Sequence, residues 1–185
     1  MSIVLGRHTA VRDDGIVVFL IGMRINRWWQ IHRWLPVALA MPRMLRELAR
    51  RPQSGLLGVR PGVSCMVQYW ESTEKLLAYA NDRNGEHYPA WAAFYRRAAK
   101  NEAVGIWHET YVVPRGSFES MYVNVPAQGL GAFSTLVPAQ GRLARARDRL
   151  ALAAPPANSA ATELGTAGQS TDAEPAPTAS RDFQA

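Results

Sequence analysis

The sequence predicts an α+β fold: an antiparallel sheet in the split βαβ, ferredoxin-like order, with both helical regions on one face. Three observations predict it. Apolar runs of strand character alternate with segments of helical period, in the coarse order β-α-β-β-α-β followed by one further strand. The first run, "GIVVFLIGMRI", is apolar on both faces. The 185 residues, 48% of them hydrophobic, suffice for one core of ordinary size.

Each element has its own signal. Residues 15–25 form the near-continuous apolar strand, and both of its faces need cover. Residues 27–50 are helical, with Met41, Met44, Leu45 and Leu48 at i, i+3, i+4 and i+7. Pro36 and Pro42 interrupt that stretch and predict a break or kink. "GLLGV" and "CMVQYW" are short strands separated by "RPGVS", whose Pro-Gly pair signals a turn. Ser72 is placed to cap a helix in which Glu74 and Lys75 occupy the first turn and Leu76, Leu77, Tyr79 and Ala80 the apolar stripe. "DRNGEHYP" breaks this helix and "AWAAFYRRAAK" resumes it. "VGIWHETYVV", residues 104–113, is a strand, and "FESMYVNV" is a further extended piece. "GAFSTLVPAQG" reads as a loop from its Gly/Pro punctuation. "RLARARDRLALA" closes the body as a basic, partly amphipathic helix. One sheet with helices on one face leaves the other face of "VVFLIGM" bare, and a second copy of the chain is the simplest cover, so a homodimer is expected.

Residues 154–185 are rich in Ala, Pro, Ser and Thr and have no apolar period. Such a segment cannot bury enough surface to offset its ordering entropy. The expected organisation is a domain over residues 1–153 and a disordered tail over 154–185. The net charge is +6, but residues after Ala153 carry −3, so the first 153 carry +9. A basic body admits an anionic partner. Yet nineteen of the 21 basic residues are Arg, they are spread over several segments, and no nucleic-acid-binding motif accompanies them. No nucleic-acid partner is expected. The single cysteine, Cys65, can build neither a disulfide framework nor a Cys-based zinc site within one chain. The apolar runs are far short of the ~20 residues that span a bilayer, and the N-terminus has no leader pattern. These features predict a cytoplasmic protein with no membrane partner. No GxGxxG, P-loop, HExxH or GxSxG occurs, so dinucleotide-dependent chemistry is not expected.

"VQYWESTEKLLAYAND…EHYPAW" resembles the strand-into-helix segment of dimeric α+β barrel monooxygenases of the antibiotic-biosynthesis type. There a Trp ends the strand, a Ser/Glu pair opens the helix and a His follows. "FLIGMRINRWWQIHRWLPVALAMPRMLREL", "VQYWES" and "VGIWHETYVV" together resemble the DUF4188 family, named for similarity to a fungal polyketide-pathway monooxygenase. The resemblance covers about residues 6–138. It implies a homodimer with an apolar pocket in each protomer. It also implies oxidation of aromatic polyketides with O₂, without metal or flavin. Other relatives, chlorite dismutases and aldoxime dehydratases among them, bind haem through a His. In the quinone-forming branch an amide and an aromatic four residues apart line the pocket on this strand. The aromatic corresponds to Trp70. The amide position is Met66, a departure, and Gln68 on the same face is its substitute.

Strand period places Ile106, His108 and Thr110 on one face, and Trp107, Glu109 and Tyr111 on the other, so His108 and Glu109 cannot act as a dyad. His108 is a candidate base or ligand, because imidazole exchanges protons near neutral pH and ligates metals. A hydrogen-bonded core His is the alternative. Glu109 calls for a basic partner, with Arg24 as the candidate. His87, just beyond a helix break, matches the superfamily's His. His32 is a weaker candidate. Met23, Trp34, Met41, Met44 and Met66 are candidate lining for a flat hydrophobic ligand, as well as ordinary core.

Three readings follow. In the first, a small oxygenase without flavin or nicotinamide binds a hydrophobic, oxidisable compound; His108 removes a proton, and Trp70 and Gln68 orient the substrate. In the second, the same fold carries haem on His108 or His87. In the third, the chain sequesters a small molecule without turning it over.

Overall fold

A strand that is apolar on both faces must be flanked on both edges and covered on both sides. The computed structural model, which describes residues 2–63, 65–98 and 102–153, puts that strand where this requires. The chain runs β1 (Ile3–Val11), β2 (Ile16–Ile25), α1 (Ile31–Ala49), β3 (Leu56–Pro61), β4 (Cys65–Trp70), α2 (Thr73–Asn81), α3 (His87–Ala98), β5 (Val104–Val113), β6 (Tyr122–Pro126), β7 (Thr135–Pro138) and α4 (Ala146–Ala153). The apolar run is β2, and it lies inside a four-stranded sheet of order β3-β4-β2-β5. All three pairings are antiparallel. β2-α1-β3 and β4-α2-α3-β5 are the two split βαβ units, their first strands paired at the centre. This is the α+β, ferredoxin-like order.

The helix side of the sheet is closed by Val17, Trp70, Leu48, Leu76 and Tyr79. Trp70 is completely buried. Removing an indole of roughly 150–250 Å² from water, at about 25 cal/mol/Å², contributes about 4–6 kcal/mol before ordering costs. Ser72 caps α2, its hydroxyl accepting from the Lys75 N–H at 3.2 Å. α1 runs unbroken through Pro36 and Pro42. The break expected at these prolines is absent. Each proline removes one backbone hydrogen bond, but Met44, Leu45 and Leu48 still pin the helix to the core.

The opposite face is covered partly from within the chain. β1, β6 and β7 form a second antiparallel sheet of order β6-β1-β7. Leu130 and Phe133, from the connection between β6 and β7, pack with Ile16, Val18, Leu57 and Tyr69. The segment "GAFSTLVPAQG" is therefore not only a loop, since it contains β7. Four residues are too few to display a strand period. At the other end of β2, Trp107 lies against Gly22, its register partner. A Cβ on Gly22 would collide with the indole ring, so glycine there is a packing requirement. The tail over residues 154–185 lies outside the described residues.

Candidate functional site

α1, α2 and α3 lie on one side of the sheet, and the space between α1 and α3 is not filled. α1 seats its C-terminal half with Leu45 and Leu48. Its first half presents the small side chains of Pro36, Val37, Ala38 and Ala40 to that space. A cavity of about 1040 Å³ remains between α1, α3 and the sheet. Its floor follows the period of the strands: Phe19, Ile21 and Met23 from β2; Met66, Gln68 and Trp70 from β4; Ile106, His108 and Thr110 from β5. Its walls include Met41 and Met44 of α1 and His87, Trp91 and Phe94 of α3.

Gln68 is the most constrained polar group on the floor. It is buried. The Trp70 indole N–H meets its Oε1 at 3.0 Å. An indole nitrogen only donates, so Gln68 must present its carbonyl oxygen there. The amide NH₂ is thereby turned to the Met41 sulfur, a weak acceptor at 3.8 Å. A ligand oxygen would be a stronger partner for that N–H than the thioether is.

The two histidines of the cavity differ. His87 begins α3, and its Nδ1 lies 3.0 Å from the Ala80 carbonyl. A carbonyl only accepts, so Nδ1 carries the proton and Nε2 of the neutral ring has a free lone pair. Behind it, Tyr79 lies face-near at 5.8 Å, and its hydroxyl donates to Glu47 Oε2 at 3.2 Å. The same oxygen accepts the Glu86 backbone N–H at 2.9 Å, while Arg51 bridges Glu47 and Asp82 at 3.0 and 2.8 Å. Burial, reinforced by Glu47, pushes the Tyr79 phenol well above the usual tyrosine range. Hydrogen bonding to Arg51 holds the Asp82 carboxyl below its ordinary value. His108 projects from β5, is exposed, and has the Phe19 ring at 5.5 Å. Among the described residues nothing hydrogen-bonds its ring.

The structure thus brings His108, Trp70, Gln68, Met23, Met41, Met44, Met66 and His87 to one cavity. Trp34 is not on its lining; its indole N–H donates to the Trp28 carbonyl at 2.8 Å. His32 is exposed on α1 and accepts from Arg33 Nε at 3.3 Å. Glu109 does not pair with Arg24. The Tyr111 hydroxyl donates to it at 2.6 Å. In register Glu109 faces Leu20 and Arg24 faces Gly105, about 13 Å apart along the strand. Glu109 is exposed, so burial imposes no ionic partner. Trp91, Phe94 and the Tyr79–Glu47 pair were not anticipated. Their signal was the i, i+4, i+7 spacing of His87, Trp91 and Phe94, which puts all three on one helix face.

Among the described residues no group of three or more His, Cys, Asp or Glu side chains is placed to hold a metal ion. None of the described helices is long and apolar enough to cross a membrane.

A family model described as monooxygenase af470-like matches residues 16–130, from the start of β2 to just beyond β6. A crystal structure of an aldoxime dehydratase in complex with butyraldoxime is similar, with a TM-score of 0.54 and 18% identity. The likeness covers 72% of this chain and 43% of that one. At that identity it extends to the fold alone. No curated protein matches the chain.

Proposed function

We propose, from the premise that the chain belongs to the monooxygenase af470-like family, that it is a small oxygenase acting on a hydrophobic, oxidisable compound with O₂. Within the family we place it beside the DUF4188-type proteins that its sequence resembles. The observation that carries the reading is the cavity of about 1040 Å³, apolar over most of its lining, with one buried amide N–H aimed into it. Its size and composition suit a flat polycyclic or polyene ligand. Gln68 donates to a carbonyl or phenolic oxygen of that ligand, and Trp70 fixes the amide's orientation. His108 takes a proton from an acidic C–H or O–H. The resulting anion gives an electron to O₂ and the two radicals combine to a peroxide. Loss of water from a methylene peroxide leaves a carbonyl, so CH₂ and O₂ become C=O and H₂O. The substrate's own conjugation supplies the electrons.

A homodimer completes this proposal. β5 is an edge strand, and Ile106, Trp107, Tyr111 and Val112 on it are each at least a third exposed. The face bearing Trp107 and Tyr111 is only partly covered by the chain's own second sheet. A second copy would cover the remainder.

A second reading rests on His87. A ligating histidine ordinarily donates its other ring N–H to a carbonyl or carboxylate, and the Ala80 carbonyl provides this. With Arg33 and Arg43 also on the cavity lining, His87 would hold a haem iron through Nε2 and the arginines would meet its carboxylates. When bound there, haem supplies a redox-active, Lewis-acidic iron. His87 is held in position by the Ala80 carbonyl.

Oxygen uptake by the purified protein with a panel of hydrophobic phenols and polyenes tests both readings. Uptake without a Soret band, lost in His108→Gln, supports the first. A Soret band on haem titration, abolished by His87→Ala and retained in His108→Ala, supports the second. Tight binding of panel members with neither signal would leave a sequestering protein and overturn the oxygenase reading.

A further inference from the structure

The four-stranded sheet has a cavity on its other side as well. β2 and β4 turn Phe19 and Gln68 to the large cavity, and their neighbours Val18 and Tyr69 to the opposite face. The connection through Leu130 does not fill the space there. A cavity of about 410 Å³ remains, with Ile16, Val113, Phe118 and Leu130 on its apolar wall. The reaction proposed above makes no use of it.

The polar side chains on this lining are left with donors to offer. Arg60 donates through Nη1 to Gln128 Oε1 at 2.7 Å. Among the described residues it has no carboxylate partner, and its Nε–Nη2 edge is free. Arginine only donates, so Gln128 turns its oxygen to Arg60 and keeps an NH₂ to give. Tyr122 Oη accepts the Gly131 N–H at 2.9 Å, and Ser120 Oγ accepts the Ala10 N–H at 3.0 Å. Neither hydroxyl proton has an acceptor among the described residues. The Tyr69 hydroxyl has no hydrogen-bond partner among them at all. It lies over Gly129, where a Cβ would stand 3.3 Å from it. Burial and then Tyr122 raise the Tyr69 phenol while Arg60 opposes them, so the three groups act on one another across the cavity. The acceptor on this lining is the Glu119 carboxylate, and its charge is already matched. Its Oε2 takes Nε and Nη2 of the buried Arg149 at 2.9 and 2.5 Å.

One unmatched positive charge and a set of unused donors lie beside an apolar wall. We infer that this cavity binds a small hydrophobic carboxylate, held by the free edge of Arg60 and the Tyr69 hydroxyl, with its apolar body against Ile16, Phe118 and Leu130. The free edge offers two parallel N–H groups, the arrangement that a carboxylate meets with both oxygens. An inorganic anion would use the donors and leave the apolar wall uncovered. The site is independent of the oxygenase reading, since the sheet separates it from Gln68 and His108. Val18 stands opposite Tyr111 in register, so the cavity borders the face proposed for the second copy, and the test must tell a ligand from a partner chain.

Isothermal titration calorimetry of the full chain with benzoate, cyclohexanecarboxylate and hexanoate, each beside its primary amide, makes that test. The acids are expected to bind, and the amides to bind about tenfold or more weakly. Arg60→Gln should weaken the acids about tenfold or more and abolish their advantage over the amides. Tyr69→Phe removes a hydroxyl that bonds nothing in the fold and should weaken the acids about threefold or more. Both variants should keep the wild-type melting temperature. The Arg33→Gln/Arg43→Gln variant, altered in the large cavity, should bind the acids as the wild type does. Failure of every acid to bind at millimolar concentration overturns the inference. So does equal binding of acids and amides, an affinity untouched by Arg60→Gln, or one lost in the Arg33→Gln/Arg43→Gln variant. A wild-type dimer that Arg60→Gln turns into monomer overturns it too, by making the cavity a seat for the partner chain.

Discussion

A buried indole N–H needs an acceptor, and Gln68 provides it for Trp70 at 3.0 Å. Gln68→Leu leaves that N–H unpaired and should cost about 1–3 kcal/mol. Trp70→Phe in the same chain removes the orphaned donor, so the double variant should lose less than the sum of the singles. Urea denaturation of the four proteins measures this coupling, and additivity would show that the pair is not linked. His108 is the opposite case. It is exposed and touches Phe19, so His108→Gln should change stability by roughly 0.5 kcal/mol or less while removing the ring nitrogen proposed to accept the substrate's proton. Tyr79 gives a pH signature. Its phenol is kept neutral in the fold by burial and Glu47. Its unfolded counterpart ionises near pH 10. A raised folded pKa gives stability that is complete below about pH 10 and is lost as pH rises beyond it. Tyr79→Phe cannot ionise, so its deficit at neutral pH should narrow between about pH 9 and 11; a gap that stays constant in urea midpoints across that range would contradict the assignment. Strand period made the faces of Gln68, Trp70 and His108 legible in the sequence. The Ala80 carbonyl partner of His87 was not legible, because it depends on how the turn between α2 and α3 folds back.

At the scale of elements, β2, β4, β5 and the capped α2 were readable because each carries its own period or cap. β1 and β7 were not. β1 has Arg7 and His8 in its middle, β7 has four residues, and the two acquire strand geometry by pairing with each other, from Val11 opposite Thr135 to His8 opposite Pro138. The start of α3 depends likewise on a distant residue. Glu47, on α1, accepts the Glu86 N–H and the Tyr79 hydroxyl with one oxygen and meets Arg51 with the other. A carboxylate at the first turn of a helix satisfies free N–H groups and the helix dipole together. Glu47→Ala should therefore destabilise the chain by about 1–3 kcal/mol. It should also loosen the first turn of α3 selectively. Hydrogen exchange at the amides of Glu86 and His87 should accelerate more than exchange in β2. Uniform acceleration would mean that Glu47 acts only through global stability.

At the scale of the molecule, the apolar content of β2 led to the expectation of a second chain over the bare face. The chain's own β6-β1-β7 sheet takes part of that role, by Leu130 and Phe133 over Val18 and Tyr69. What is left is the end where Trp107 lies on Gly22, together with the free edge of β5. Edge strands that must stay alone ordinarily carry lysine, proline or a bulge. β5 carries none of these, and ten consecutive residues of it pair regularly with β2. Its other backbone edge is free among the described residues, which is the arrangement that recruits a second copy. Light scattering at micromolar concentration should report twice the chain mass. Removal of residues 154–185, which have no apolar period, should leave that dimer and its melting temperature unchanged. Tyr111 is 50% exposed and sits opposite Val18 on the incompletely covered face. Tyr111→Lys puts a charge there without emptying the core, so it should dissociate the dimer while the monomer keeps its circular dichroism. A wild-type monomer at that concentration would remove the dimer from the proposal, and a Tyr111→Lys dimer of unchanged affinity would move the contact off this face.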